Sequence, residues 1–526
     1  MKKRQKNNLR TVHPSNQAAV THVPQLLQKG HALQSQGRAG QAMQHYEQVL
    51  RLNPGNPDAV HLQCLALIQQ HDYRGAIRFL SRWGKHDSGK NAATQYFVGY
   101  GYYLMKRFKL ALRHLTNALA HDPAMALARL LVARIQAETG DVAAGRSMLT
   151  KPPELAARAV SDVMTHAIVL SQLELYQEAR QVLDRLMQKH NMHVEALYEL
   201  IRLPPETWTG ETCEAVASRL AGKTLSAKHQ VLLKFSAGRI ADQQSHYADA
   251  YRYFADAKAQ STKPFDFDVF GKAITGCMDL SEMVNDGNTT ADRQSGAVTP
   301  VFVVGMPRSG KTTLETLLTR SPEIAACGEI SPRFFIDADI FVGPEGQIPE
   351  NFAERLKSLG PARRNLHAKQ YCDGIMQQLS LPHTTRFIVN TLPQNFLNIG
   401  VLRHVFPTSK FLYLDRNPKD IFIFCFMKHF MNQYNYTRDF ASFMQYHAMF
   451  ERQISHWQQY LGQDFLTLCY EDVVTSPDDA VASVMDFLGV ALPDAHDHTC
   501  EIKLTDRFVD YWKHYEDLLP APETAS

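Results

Sequence analysis

The sequence predicts an α-helical solenoid followed by an α/β domain built on a central parallel sheet, and three features carry that prediction. Residues 23–260 repeat small and aromatic residues at a spacing of about 34, as stacked helix pairs do. Val301 to Val304 form an apolar run, rich in β-branched residues, that drives into a glycine-bearing loop and opens an amphipathic helix. That order suits a buried strand of a parallel sheet. Between the two halves, Asn285 to Gly296 is polar, glycine-bearing and without period, as an exposed linker is. The chain of 526 residues, 44% hydrophobic, is long enough for a core on each side of that linker. The expected order is a basic flexible tail over 1–22, a solenoid over 23–260, a connecting segment and linker over 261–299, and the α/β domain over 300–520.

Within the solenoid, Gly30, Leu33, Ala42, Tyr46, Val49 and Pro54 fit the signature of a tetratricopeptide repeat, with small residues where paired helices touch and proline at the exit turn. Cys64, Leu67, Ala76, Leu80 and Trp83 repeat it, and Gly99, Tyr102, Ala111, Leu115, Ala118 and Pro123 repeat it again. Weaker copies follow at Ala133, Gly140 and Leu149 and at Ala167, Leu170, Ala179, Leu183 and Leu186. Gly238, Ala241, Ala250, Phe254 and Ala257 close the array. Such stacks leave a concave face, the usual seat of a peptide or protein partner; a packing platform without ligand is the plainer use.

Charge and cysteine content narrow the classes. A net charge of +3 is too small to imply a polyanionic partner, so no nucleic acid is expected. Lys2, Lys3, Arg4, Lys6 and Arg10 make the N-terminus basic, but no apolar run follows, so it reads as a solvated tail rather than a secretory signal. Ile421 to Met427 is far short of a membrane span and predicts a buried helix. The eight cysteines show no C-x-x-C pair, which fits reduced thiols in a cytoplasm, with Cys425 and Cys469 expected in the core. The histidines form no ligand constellation; His121-Asp122 and His496 to His498 read as turns, and no metal is expected.

Gly305 to Thr312 satisfies G-x-x-x-x-G-K-[ST]. Successive N–H groups of such a loop and the positive end of the helix behind it converge on one anion. Read literally, Lys311 would serve the β/γ-phosphates and Thr312 the Mg²⁺ of a nucleoside triphosphatase.

The wider context differs. Pro307-Arg308-Ser309-Gly310 with Thr312-Thr313, then Glu315, Leu318, Pro322 and Cys327-Gly328-Glu329, resembles the 5′-phosphosulfate loop of sulfotransferases. The resemblance is nearest to tyrosylprotein sulfotransferases and to bacterial sulfotransferases that carry tetratricopeptide repeats, and covers about residues 300 to 490. Arg386 to Phe396 is similar to a family segment ending D-K-M-P-x-N-F, and Phe406 to Leu414 to its next strand. Asp415 to Asp420 is similar to R-[DN]-P-x-D, and Phe465 to Asp472 with Phe487 to Gly489 to the Y-E-D strand and final helix. Ser476 with Asp479 has the spacing of a capping box.

This resemblance implies 3′-phosphoadenosine-5′-phosphosulfate as sulfuryl donor, a hydroxyl acceptor, and no metal. It makes Glu329 the base for the acceptor and gives Arg308 the charge on the transferring group. The N–H groups of Ser309, Gly310, Lys311, Thr312 and Thr313, with the hydroxyls of Thr312 and Thr313, would hold the leaving phosphate, and Arg416 the 3′-phosphate. A peptide tyrosine presented by the repeats is the acceptor it points to first. The chain departs from the family at Phe424, where a serine shares the 3′-phosphate, at Thr391, where a lysine stands, at Lys311, where a threonine stands, and at Val509 to Trp512, a blurred G-R-W stretch. Lys311 is expected to take over the task of the lysine missing at Thr391.

Other classes stay open at this level. A Mg²⁺-dependent P-loop phosphohydrolase or kinase would use Lys311 and Thr312, with Asp415 the candidate to complete its metal site. A non-catalytic repeat adaptor would tolerate Phe424 and Thr391. The plainer role for Arg416 is an ion pair with Asp415 or Asp420, and for Glu329 a carboxylate at a helix N-terminus.

Overall fold

The computed structural model describes residues 22–83, 91–149, 160–189, 193–222, 225–261, 263–282, 298–343, 345–430, 434–492 and 506–520; the basic tail, the expected linker and His496 to His498 lie outside the described residues. The chain forms two compact units, Met1–Ala157 and Arg158–Ser526.

The first unit holds α1 (Val23–Ser35), α2 (Ala39–Leu52), α3 (Pro57–Gln69), α4 (Tyr73–Trp83), α5 (Ala92–Leu104), α6 (Phe108–His121), α7 (Ala126–Glu138) and α8 (Val142–Ser147). Helix starts follow local chemistry: Asn56 and Asn91 accept from Ala59 N and Thr94 N, which satisfies first-turn donors of α3 and α5. The repeat positions are the buried ones, with Ala42, Tyr46, Ala76, Leu80, Ala111 and Leu115 fully enclosed. Gly30 is small for a reason, since a Cβ there would lie 2.4 Å from the Tyr46 ring.

The second unit opens with further helices, α9 (Val160–Gln172), α10 (Tyr176–Lys189), α11 (Val194–Arg202), α12 (Gly210–Ala221), α13 (Ala227–Gln243), α14 (Tyr247–Ser261) and α15 (Phe267–Met278). The α/β part then runs β1 (Thr299–Val304), α16 (Lys311–Leu318), β2 (Ile324–Ala326), α17 (Phe352–Lys357), α18 (Pro361–Leu379), β3 (Phe387–Asn390), α19 (Ile399–Val405), β4 (Lys410–Asp415), α20 (Pro418–Phe426), α21 (Phe440–Leu461), β5 (Phe465–Cys469), α22 (Tyr470–Thr475) and α23 (Pro477–Leu488).

The strands form a five-stranded sheet in the order β2-β3-β1-β4-β5. Every pairing is parallel; Val301 registers with Val389 on one side and Lys410 on the other. Alternation along β1 splits the core, as period-two side chains require. Val301 and Val303 pack with Leu314, Leu317, Val481 and Val484, which are carried by α16 and α23. Phe302 meets Tyr371, Phe406 and Phe411.

Helices of the array are joined to this sheet domain by buried polar contacts. Lys258 of α14 donates to Cys425 O at 3.0 Å and Thr437 Oγ1 at 2.9 Å, and burial pushes its amine down to about 8. As expected, Ile421 to Phe426 lie in a buried helix, the last turns of α20 with Met427 at its C-cap, and Cys425 is enclosed. Cys469 is not: at the end of edge strand β5 it is exposed, its thiol donating to Glu471. Ser476 stands at the N-cap of α23 but its side chain makes no capping bond, so the capping box does not form.

Close helix contact at Gly238 generates a stability prediction. A Cβ there would lie 2.5 Å from the Phe254 ring, so Gly238→Val should destabilise the second unit by about 1–3 kcal/mol through overpacking. Thermal unfolding measures it, and an unchanged melting temperature would contradict this packing.

Candidate active site

The strand order reverses about β1, and the carboxyl edge at such a switch point is where open α/β sheets seat their ligands. Each strand delivers site residues to that edge. The Gly305–Gly310 loop follows β1, Glu329 lies in the turn after β2, Thr391 follows β3, Arg416 follows β4 and Tyr470 follows β5.

The loop is wound for an anion. Arg308 (φ 69°) and Gly310 (φ 95°) are both left-handed, and left-handed residues spaced in this way can gather successive N–H groups into a concavity. Gly310 is fixed twice over, since a Cβ there would also meet the Tyr470 ring at 2.2 Å. Ser309 is fully buried, with its Oγ unpartnered. Thr312 is exposed and Thr313 half-buried on the first turn of α16, and the Arg308 side chain is exposed.

Two buried cations take the loop's carbonyls. Lys311 Nζ donates to Gly305 O at 3.0 Å and Met306 O at 2.8 Å, and burial pushes it down from 10.5 to about 8 against the opposing charge of Glu329. Arg416 Nη1 donates to Arg308 O at 2.7 Å and Nη2 to Phe508 O at 2.6 Å, while its buried Nε has no partner. The guanidinium lies 4.1 Å from the Tyr470 ring centre and 4.9 Å from that of Phe424, and burial lowers its pKa.

Arg416 therefore does not form the surface ion pair that was its plainer role. Asp415 accepts from Tyr413 OH at 3.1 Å, and Asp420 from the N–H groups of Asp510 and Trp512 at 2.9 and 2.8 Å. Phe424, which cannot donate as a serine would, packs instead against Phe508 and Tyr511.

Glu329 is exposed in its turn, and the short 3₁₀ helix that follows it is capped by Ser331 instead. Asn390 anchors the turn by donating to Ile330 O at 2.7 Å and Tyr371 OH at 3.1 Å. Thr391 Oγ1 is directed at Glu315 Oε2, 3.5 Å away, so a lysine at this position would first meet a carboxylate.

Sequence reasoning missed one cation near Glu329. Lys428, exposed just past α20, is close enough to Arg308, Arg202 and Glu329 to feel all three charges, and crowding by its neighbours together with the two arginines lowers its pKa. His429 stacks on Phe235 at 5.2 Å and meets Tyr198 edge-on at 6.3 Å, so helices α11 and α13 help to wall this side. The only signal in sequence is the change from apolar residues to Lys428-His429 at the end of α20.

A parallel sheet with a phosphate-type loop after its central strand defines an α/β domain of the phosphate-loop class. Residues 300–494 match the sequence model of the Sulfotransferase family, and residues 33–94 and 102–164 that of the Tetratricopeptide repeat. The chain thus carries tetratricopeptide repeats followed by a sulfotransferase-family domain. An uncharacterized protein of Aquifex aeolicus (strain VF5) is 25% identical over 223 residues, 41% of this chain and 27% of that relative's length. Among solved structures, the sulfotransferase domain of the Synechococcus PCC 7002 olefin synthase is 17% identical, covering 44% of this chain and 91% of that one, with a TM-score of 0.28. Sulfotransferase STF1 from Mycobacterium tuberculosis H37Rv is 16% identical over 59% of this chain and 98% of its own, with a TM-score of 0.26. A tetratricopeptide repeat protein from Parabacteroides merdae ATCC 43184 is 14% identical over 46% and 93%, with a TM-score of 0.32.

The buried Lys311 makes a pH prediction. Between its folded value of about 8 and its ordinary 10.5 the unfolded chain binds more protons, so stability rises with pH across that window. The wild-type melting temperature should gain on that of Lys311→Met between pH 8 and 10, and parallel curves would contradict the buried placement.

Proposed function

We propose that the C-terminal domain transfers a sulfuryl group from 3′-phosphoadenosine-5′-phosphosulfate to a hydroxyl acceptor, with no metal required. One observation carries this proposal: two donor sets at the same sheet edge end in buried, unpartnered polar atoms, Ser309 Oγ in the loop and Arg416 Nε beside it. Buried donors without partners are costly, and phosphate oxygens would satisfy both. These residues fit a nucleotide bearing a 5′- and a 3′-phosphate.

When bound, the donor supplies the sulfuryl group and a phosphate leaving group. N–H groups of Ser309 to Thr313 and the Thr312 and Thr313 hydroxyls hold that phosphate, and Arg416 holds the 3′-phosphate. Glu329 accepts the acceptor's hydroxyl proton, and Arg308 neutralises charge on the transferring group. Lys311 places a positive charge beneath the loop. A P-loop nucleotidase would need that amine on β/γ-phosphates, whereas here Gly305 and Met306 occupy it.

The acceptor in this reading is a peptide tyrosine brought by the repeats. Half-buried rings on the first helices of neighbouring repeats support it: His61 of α3 stacks on Phe97 of α5 at 4.6 Å and lies 5.5 Å from Tyr100, a surface suited to an extended peptide. The described cysteines are all free, which fits a reducing cytoplasm. Among the described residues no helix is long and apolar enough to cross a membrane.

Glu329→Gln keeps the size of the side chain but cannot take the proton, so turnover in a radiolabelled sulfuryl-transfer assay should fall about 10²- to 10⁴-fold with donor affinity kept. Unchanged turnover would remove the base assignment. Arg416→Ala should weaken adenosine 3′,5′-bisphosphate binding by about 2–3 kcal/mol and leave adenosine 5′-phosphate nearly unaffected. Equal weakening of both would show that Arg416 acts only by tying the loop.

A further inference from the structure

Glu315 is a carboxylate in an unusual place. Its position on α16 falls on the inward face with Leu314 and Leu318, and the residue is 8% exposed. No cation pairs with it among the described residues. Its oxygens are taken instead by the turn that carries Glu329 and by the end of β3: Gly328 N donates to Oε1 at 2.8 Å, and Thr391 Oγ1 lies 3.5 Å from Oε2. Gly328 is left-handed (φ 60°), and its carbonyl accepts from Thr391 N at 3.0 Å. The residue before Glu329 is thus held at both its amide and its carbonyl, and the hold on the amide comes from the helix behind the phosphate loop.

We propose that Glu315 is a positioning residue for sulfuryl transfer, which fixes the Glu329 turn against the phosphate loop through the Gly328 amide and loosens that turn when its own carboxylate is protonated. The inference rests on the reading of the domain as a sulfotransferase with Glu329 as base. A carboxylate accepts an amide hydrogen bond about twice as strongly as a neutral carboxyl group does. Burial raises Glu315 to about 7, with the charge of Glu329 adding to the effect, so both forms are populated near neutrality. The groups that face it are few. Glu329 and Cys327 lie on the turn, and burial holds the Cys327 thiol neutral at about 12. The end of β3 offers Thr391, and α23, packed on α16, offers the apolar Val481, Val484 and Met485. Lys311, one turn earlier on α16, directs its amine to the loop carbonyls.

The test follows the Gly328 amide and turnover together in the full chain. Cys327-Gly328 is the sequence's only Cys-Gly dipeptide, so carbonyl-labelled cysteine with nitrogen-labelled glycine isolates one amide resonance. In the wild type that resonance should titrate with a midpoint near 7, and kcat should decline over the same range as pH falls while donor KM stays level. Glu315→Gln should abolish the titration, lower kcat at pH 8 roughly tenfold and erase that acid limb. Thr391→Lys, which supplies the missing cation, should move both midpoints to lower pH. A Gly328 titration that persists in Glu315→Gln, or an acid limb that neither variant moves, overturns the proposal. A wild-type chain that binds adenosine 3′,5′-bisphosphate but transfers no sulfuryl group overturns the sulfotransferase reading, and the catalytic part of the proposal with it. The Gly328 titration then still decides whether the Glu315 tie exists.

Discussion

A loop that turns its N–H groups toward an anion must find partners for the carbonyls it cannot use, and in this chain two buried cations meet that need. Lys311 takes the Gly305 and Met306 carbonyls from within the first turn of α16, and Arg416 takes the Arg308 carbonyl from the end of the neighbouring strand. Burying a cation costs free energy that hydrogen bonds and ring faces must offset. Arg416 recovers part of it between Tyr470 and Phe424, and Lys311 through the two carbonyl oxygens and the charge of Glu329. The left-handed turn at Arg308 and Gly310 depends on both.

From this constraint the rest of the edge follows. Tyr470 has to sit where it does to cover Arg416, which leaves no room for any side chain at Gly310. The segment around Phe508 closes on the other side, accepting from Arg416 and packing on Phe424, and is pinned by Asp420 through the Asp510 and Trp512 amides. Tyr511 and Tyr515 both donate to Asp242 of α13, so the same segment joins α13 to the carboxyl edge of the sheet. The compact units divide at Ala157, inside the array rather than at its end.

The architecture was legible because it is written in local chemistry. An apolar strand, a glycine loop and an amphipathic helix in succession specify β1 and α16, and repeat spacing with small residues at helix contacts specifies the array. What side chains do across elements was not. Phe424 read as a lost donor, yet its ring lies against the Arg416 guanidinium, a contact visible only once α20 and the end of β4 are juxtaposed. Lys311 read as a replacement for the missing lysine, yet its amine folds back under its own loop, because the left-handed turn presents carbonyls to it. Glu315 did leave a trace: a carboxylate at the fourth position after Lys311, on the apolar face of a helix, is a conflict between charge and burial that marks a site.

We propose that this edge binds a 3′-phosphorylated adenosine nucleotide and needs no metal to do so. Titration calorimetry of the full chain with adenosine 3′,5′-bisphosphate, and separately with ATP, each with Mg²⁺ and with chelator, tests it most directly. Bisphosphate should bind with an affinity indifferent to Mg²⁺ and more tightly than ATP. Binding of ATP alone, and only with Mg²⁺, would contradict it.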